Sequence, residues 1–170
     1  RGVEKRVIFQ DDEDYIVFIG LIKKYLHGEL PPNHNRHSFT KLGDEVQVLA
    51  FCLMPNHFHL LLHQNSSDGV TKFMRRLSTG YAMYFNNKNT RVGSLFQGKF
   101  KASRINADDY LHHISRYIHL NPANYKKWPY SSYEYYLGNK KAAWLTDGPI
   151  LALFDNNRDS YREFVDEYID

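Results

Sequence analysis

The chain has 170 residues, 42% hydrophobic and 24% charged, an ordinary composition for one soluble globular domain with its own core. A formal net charge of +3 and a pI of about 8.8 permit a polyanionic partner without demanding one. The lone cysteine, Cys52, excludes an internal disulfide, and no apolar run approaches the roughly 20 residues of a membrane span. A cytoplasmic protein with a buried, inert thiol is the expectation.

Residues 1–10 are basic and then apolar. "DDEDYIVFIGLIKKYLHG" reads as a helix, with acids in its first turn, lysines in its last and Gly28 as its stop. Ile16, Ile19, Ile22 and Leu26 recur at helical spacing as the expected buried stripe. "ELPPNHNRHSFTKLGDE" is polar and rich in Pro and Asn, hence a loop. "EVQVLAFCLM" (45–54) reads as a strand, Pro55-Asn56 as a turn, and "HFHLLLH" (57–63) as an antiparallel second strand. "VTKFMRRLSTGYAMYFNNK" reads as a helix that buries Val70, Phe73, Leu77, Tyr81 and Tyr84. "GKFKASRI" (98–105) alternates like a strand. "NADDYLHHISRYIHLNP" (106–122) reads as a helix ending before Pro122. A last short helix is expected at 158–169.

The order is α+β: helix, strand, strand, helix, strand, helix. One strand placed before it makes a ferredoxin-like antiparallel sheet with helices on one face. That strand is expected upstream of, or compressed into, residues 1–9. Residues 1–125 are expected to form the core domain and 126–170 an extension packed on or beside it.

Two constellations carry chemistry. On a strand, residues i and i+2 share a face, so His57 and His59 project side by side, with Phe58, Leu60 and Leu62 expected to pack the other face. Paired imidazoles are a half-site for a divalent metal; the plainer alternative is two histidines satisfied by protein partners. In a helix, Tyr117 and Asn121 are i and i+4, beside an apolar stripe of Leu111, Ile114 and Ile118. The plainer alternative there is a packed aromatic and a helix-end Asn.

"GSLFQGKF" (93–100) imitates a phosphate loop, but Phe100 stands where a Ser or Thr must ligate magnesium, and a strand-like run follows it. Nucleotide binding is rejected. Lys72, Arg75, Arg76, Lys99, Lys101, Arg104 and Arg116 interleave with Phe73, Phe96 and Phe100. Cations among aromatics suit single-stranded nucleic acid, whose bases stack and whose phosphates pair.

Taken together, "LMPNHFHLLLH", "LFQGKFKASRI" and "YLHHISRYIHLNPA" resemble the single-tyrosine transposases, within them the REP-associated tyrosine transposases, a branch of the HUH nucleases. The resemblance runs from about Arg1 to Ala123 and extends to "WPYSSYEYYLG" and "REFVDE". It implies that His57 and His59 bind metal, that Tyr117 is the nucleophile, and that Asn121 stands where relatives carry a Gln or Asn completing the metal site. It implies magnesium or manganese as cofactor, single-stranded DNA beside a hairpin as substrate, a 5′-phosphotyrosine intermediate, and a nucleoid-associated monomer or homodimer. Lys72, Arg75, Arg76, Lys99, Lys101, Arg104 and Arg116 are the expected DNA contacts, with the 29–44 loop, Trp128 and Tyr130 as further candidates. Two other functions compete. A ferredoxin-like nucleic-acid-binding module would not cleave, though the aromatic signature of RNA-recognition domains is absent. A metal-dependent phosphodiester hydrolase would use water, with Tyr117 merely packing.

Overall fold

The computed structural model describes residues 1–28, 40–106 and 110–169. Much of the expected 29–45 loop, and residues 107–109 of the expected 106–122 helix, lie outside the described residues. The order is α1 (Asp12–His27), β1 (Val46–Met54), β2 (His57–Gln64), α2 (Gly69–Lys88), α3 (Leu111–His119), α4 (Tyr133–Tyr136), α5 (Gly148–Leu151) and α6 (Arg158–Asp166). The fold is α+β, with a two-stranded antiparallel sheet among the described residues. The chain divides into two compact units. One holds 1–47, 55–57 and 63–101; the other holds 48–54, 58–62 and 102–170.

In the first unit, α1 starts where the Asp11 carboxylate accepts the Asp14 N–H, and ends at Gly28, whose φ of 73° is left-handed. Its buried side is Asp14, Tyr15, Phe18, Ile22, Tyr25 and Leu26. Ile16 is 64% exposed and Ile19 half-buried, so the expected stripe is rotated. Aromatic side chains bury more area than isoleucine, and Tyr15 and Phe18 turn the helix towards themselves. Phe9 stacks on Tyr15 and meets Phe18 edge-on. Helix α2 buries Phe73, Met74, Leu77, Tyr81 and Phe85 and packs on α1; Val70 and Tyr84 are only half-buried. The Tyr81 hydroxyl donates to the Ile8 carbonyl. Asp14, fully buried, accepts from the Gln10 N–H, the Tyr84 hydroxyl and Lys88 Nζ.

The two outer strands differ from expectation. Residues 1–9 contribute one antiparallel bridge, Gly2 to Phe96, and a turn of 3-10 helix at Val3–Lys5. Residues 98–105 form no strand. Gly98 has a φ of 72°, which breaks the extended run, and residues 97–104 are exposed. Alternation specifies a strand only where one face is buried, and neither face is buried here.

In the second unit, the β1 residues are buried on both faces. One edge of β1 pairs with β2. Along its other edge the C-terminal segment supplies partners. Leu53 N donates to Tyr130 O, Ser132 N to Phe51 O and Thr146 N to Val48 O, each at 2.9 Å. Leu61 is the buried residue of β2, on the histidines' side; Phe58, Leu60 and Leu62 are half-buried. The histidine side of the strand is thus also packed, at Leu61. Leu61 joins the core of Leu49, Ala50, Cys52, Ile118, Tyr136 and Tyr161, so the histidine side is the one packed against the helices of this unit.

Helix α3 spans Leu111–His119; the start expected at Asn106 or its acidic neighbours borders residues outside those described. It buries Ser115, Ile118 and His119, while Leu111 and Ile114 are half-buried. Helix α6 begins at an Asn157 cap and continues as 3-10 turn to 169, as expected for 158–169.

His119 was not anticipated as a core residue. Its Nε2 lies 2.6 Å from Ser132 Oγ and its Nδ1 2.8 Å from the Tyr161 hydroxyl. Burial with no compensating charge pushes its pKa from the ordinary 6.5 down to about 3. Burial likewise pushes the Cys52 thiol up to about 12.

Two outcomes follow from these groups. Native protein at mildly alkaline pH should leave Cys52 unlabelled by a disulfide thiol reagent, whereas denatured protein should release one thiol; fast native labelling contradicts the buried placement. The second concerns His119, whose folded pKa lies below its unfolded one. Between pH 6.5 and about 3 the unfolded chain therefore binds the extra proton, and stability falls as pH falls. The contribution is about 1.4 kcal/mol per pH unit across that window. Urea unfolding of the wild type against His119→Gln should show a shallower acid dependence in the variant; parallel curves would rule the buried neutral imidazole out.

Candidate functional site

Strand β2 places His57 and His59 two residues apart, hence on one side of the strand. His57 is locked locally: its Nδ1 lies 2.7 Å from Asn56 Oδ1. An amide oxygen only accepts, so Nδ1 carries the proton and Nε2 is the ring's basic nitrogen. A carbonyl oxygen behind a histidine is the usual support for a metal-binding imidazole.

Within the second unit, three of the expected residues come together. The ring of His59 meets that of Tyr117 edge-on, with centroids 5.6 Å apart and planes at 82°. Asn121 Nδ2 lies 3.3 Å from His59 Nε2. Helix α3 ends at His119, with Leu120 at its C-cap, so Asn121 lies just past the helix rather than inside it. The turn after α3 still carries its amide to the ring. As placed, the amide donates to Nε2, which makes Nε2 the lone-pair nitrogen of His59. Half a rotation of the amide sets Oδ1 beside that nitrogen instead. Tyr117 is 58% exposed, with its ring at the edge of the half-buried histidine.

Within this unit the donors present suit a divalent cation: the basic imidazole nitrogen of His59 plus an Asn121 amide that can present oxygen. Among the described residues no three His, Cys, Asp or Glu side chains gather, so neither a four-ligand zinc site nor a carboxylate cage is built there.

The expected DNA contacts separate into two kinds. Arg75, Lys99, Lys101 and Arg104 are exposed. Lys72 is engaged by Glu45 at 2.8 Å and Asp68 at 3.0 Å, and Arg76 donates to the Thr40 carbonyl. Arg116 stacks over Phe164 and Tyr168, 4.0 and 4.5 Å from their ring centroids, and donates to the Phe164 carbonyl and to His113 Nδ1. Trp128 donates to the Leu53 carbonyl at 2.9 Å. These internal partners were invisible in a one-dimensional reading of charge, because the acceptors come from distant segments. No helix among the described residues is long and apolar enough to cross a membrane.

Comparison with known proteins places the chain in a family. The family model described as "Transposase IS200 like" matches residues 31–121. That span contains His57, His59 and Tyr117, and ends on Asn121. A protein of Haemophilus influenzae, provisionally named a REP-associated tyrosine transposase, is 28% identical over 134 residues, covering 69% of this chain and 76% of the relative. No solved structure matches the chain. Since the family match takes in more than half of the residues, the two histidines and the tyrosine among them, the chain belongs to the IS200-like transposase family.

Proposed function

We propose that this protein cuts and rejoins single-stranded DNA beside hairpins, through a covalent link between Tyr117 and a 5′-phosphate. The observation that carries the reading is the meeting of Tyr117, His59 and Asn121 on an accessible surface of one unit. The helix–hairpin–helix order around it supports a ferredoxin-like core of the HUH endonuclease type. The name of the Haemophilus influenzae relative supports hairpins of repetitive palindromes as the target.

His57, His59 and Asn121 would hold the cation, magnesium or manganese; imidazole donors favour manganese. When bound, the cation would polarise the scissile phosphate and offset charge on its oxygens. The rest is done by the chain itself. Tyr117 Oη forms a bond to phosphorus and gives up its proton. The bond from phosphorus to the 3′-oxygen breaks, and that oxygen takes up a proton as a free 3′-hydroxyl. The 5′-phosphate stays on Tyr117, and attack by another strand's 3′-hydroxyl reverses the step. One phosphodiester is exchanged for another, so no nucleotide cofactor is required.

Arg75, Lys99, Lys101 and Arg104, being exposed, suit phosphate contacts along a strand; Lys72, Arg76 and Arg116 must first give up internal partners. A water-using hydrolase would not need a half-exposed phenol beside the histidine, and a non-cleaving module would not need either. The protein is proposed to act in the cytoplasm, on nucleoid DNA.

Incubation of a labelled single-stranded hairpin with protein and manganese should give a denaturation-resistant adduct that chelator prevents and Tyr117→Phe abolishes. Cleavage without adduct would point to the hydrolase, and binding without cleavage to the inert module. Asn121→Ala should raise the manganese concentration needed for half-maximal adduct formation about tenfold or more. An unchanged manganese requirement would remove Asn121 from the metal site.

A further inference from the structure

The buried side of α3 carries two fully buried polar groups one turn apart, Ser115 and His119. Tyr161 of α6 reaches both, with its hydroxyl 2.9 Å from Ser115 Oγ and 2.8 Å from His119 Nδ1. Counting donors orders the string. Ser115 spends its hydrogen on the His112 carbonyl at 2.8 Å, so Tyr161 donates to Ser115 and accepts from His119 Nδ1–H. His119 Nε2 then accepts from the Ser132 hydroxyl, and Ser132 Oγ accepts the Phe51 N–H at 2.9 Å. Ser132 N closes the contact by donating to the Phe51 carbonyl. The Ser132 hydroxyl also lies 3.1 Å from the Phe51 carbonyl, so every polar group of the string has a partner. The string runs from α3 to the backbone of β1, which pairs with β2, the strand that carries His59.

Tyr117 sits midway between the two anchors in sequence and, at 100° per residue, on the far side of α3 from both. Apolar packing sets how deep a helix lies but only loosely sets its roll, because dispersion contacts have no direction. Hydrogen bonds do have direction. A roll of about 20° would shift an atom roughly 9 Å from the helix axis by about 3 Å, enough to part a phenol from its neighbour. Stability alone does not require this network, since apolar groups replacing both partners of a buried hydrogen bond can be nearly neutral.

We propose that Tyr161 is a positioning residue: its hydroxyl, holding Ser115 and His119 together, fixes the roll of α3 that brings Tyr117 to His59. The proposal rests on Tyr117 being the nucleophile for its catalytic consequence, but not for its structural one.

Tyr161→Phe removes one oxygen and keeps the ring among Tyr136, Phe154 and His119. Two readouts are needed. NMR cross-relaxation between the Tyr117 and His59 rings, present in the wild type, should vanish in the variant. The rate of adduct formation at saturating hairpin DNA and manganese should fall about tenfold or more, while the half-saturating DNA concentration stays within about twofold. A role in packing alone would lower the unfolding temperature but leave ring contact and saturating rate unchanged, and that result overturns the proposal; so does a retained ring contact with a slowed rate. If the wild type forms no adduct yet the ring contact is lost in the variant, the positioning role stands and the nuclease reading falls. Should Tyr161→Phe not fold, Ser115→Ala cuts the other end of the string at smaller packing cost, and an intact Tyr117–His59 contact there overturns the proposal equally.

Discussion

A strand buried on both faces has to find hydrogen-bond partners along both of its edges, because an unpaired backbone amide away from water costs as much as a lost bond. That constraint shapes the second unit. β2 satisfies one edge of β1, and short stretches around Tyr130, Ser132 and Thr146 satisfy the other. The residues beyond 126 are therefore part of the same cooperative structure as the strands, through backbone bonds as well as side chains. Tyr136 donates to the Leu49 carbonyl and Trp128 to the Leu53 carbonyl, which adds side-chain fasteners along the same strand. With β1 taking the burial, β2 stays half-exposed at its histidine end, and two imidazoles can occupy an apolar run without being sealed from solvent.

The same economy governs the polar core. Ser115, His119, Ser131, Ser132 and Tyr161 are all essentially inaccessible. Such groups are tolerated only when satisfied, and a half-satisfied network is worse than an apolar one. The His112–Ser115–Tyr161–His119–Ser132–Phe51 string meets that condition with a neutral imidazole, one ring nitrogen donating and the other accepting. Burial holds His119 in the neutral form at any pH well above 3. The network and the depressed basicity are two views of one fact: there is no place in this core for an extra proton.

Much of this was legible in the sequence, and the failures have physical causes. Helix α1 announces itself through its acidic first turn, basic last turn and stop glycine, α2 through its apolar period, and the hairpin through Pro55-Asn56 between β-branched and apolar runs. The histidine pair was legible because a strand's period of two is rigid. Which face of β2 is buried was not legible, because alternation shows that two faces differ without showing what lies against each. Leu61 joins the core from the histidine side, beside half-buried Phe58, Leu60 and Leu62 on the other. The 98–105 alternation was a pattern with no surface to bury it. His119 was missed although its signal was present: Ser115, Ile118 and His119 form a stripe as regular as Leu111, Ile114 and Ile118. A polar stripe is buried when another segment, here α6 and the Ser131-Ser132 corner, brings matching partners, and one segment's pattern does not show that.

The chain has 13 tyrosines, and the fold gives them different surroundings. Burial raises the pKa of Tyr133, Tyr136 and Tyr161, and their hydroxyls are committed to Asp166, to the Leu49 carbonyl and to the Ser115–His119 pair respectively. Tyr125 is likewise bound to Asp166, and Tyr81 to the Ile8 carbonyl. A phenol so placed is protonated, immobile and out of reach of a polymer backbone. Exposure alone does not qualify one either: Tyr168 is 69% exposed but lies under the Arg116 guanidinium, and Tyr110 borders His113. Tyr117 combines exposure with a histidine edge-on to its ring and an amide on that histidine's basic nitrogen. Tyr117 is accessible on one side of α3, and on the other side Ser115 and His119 are tied to Tyr161.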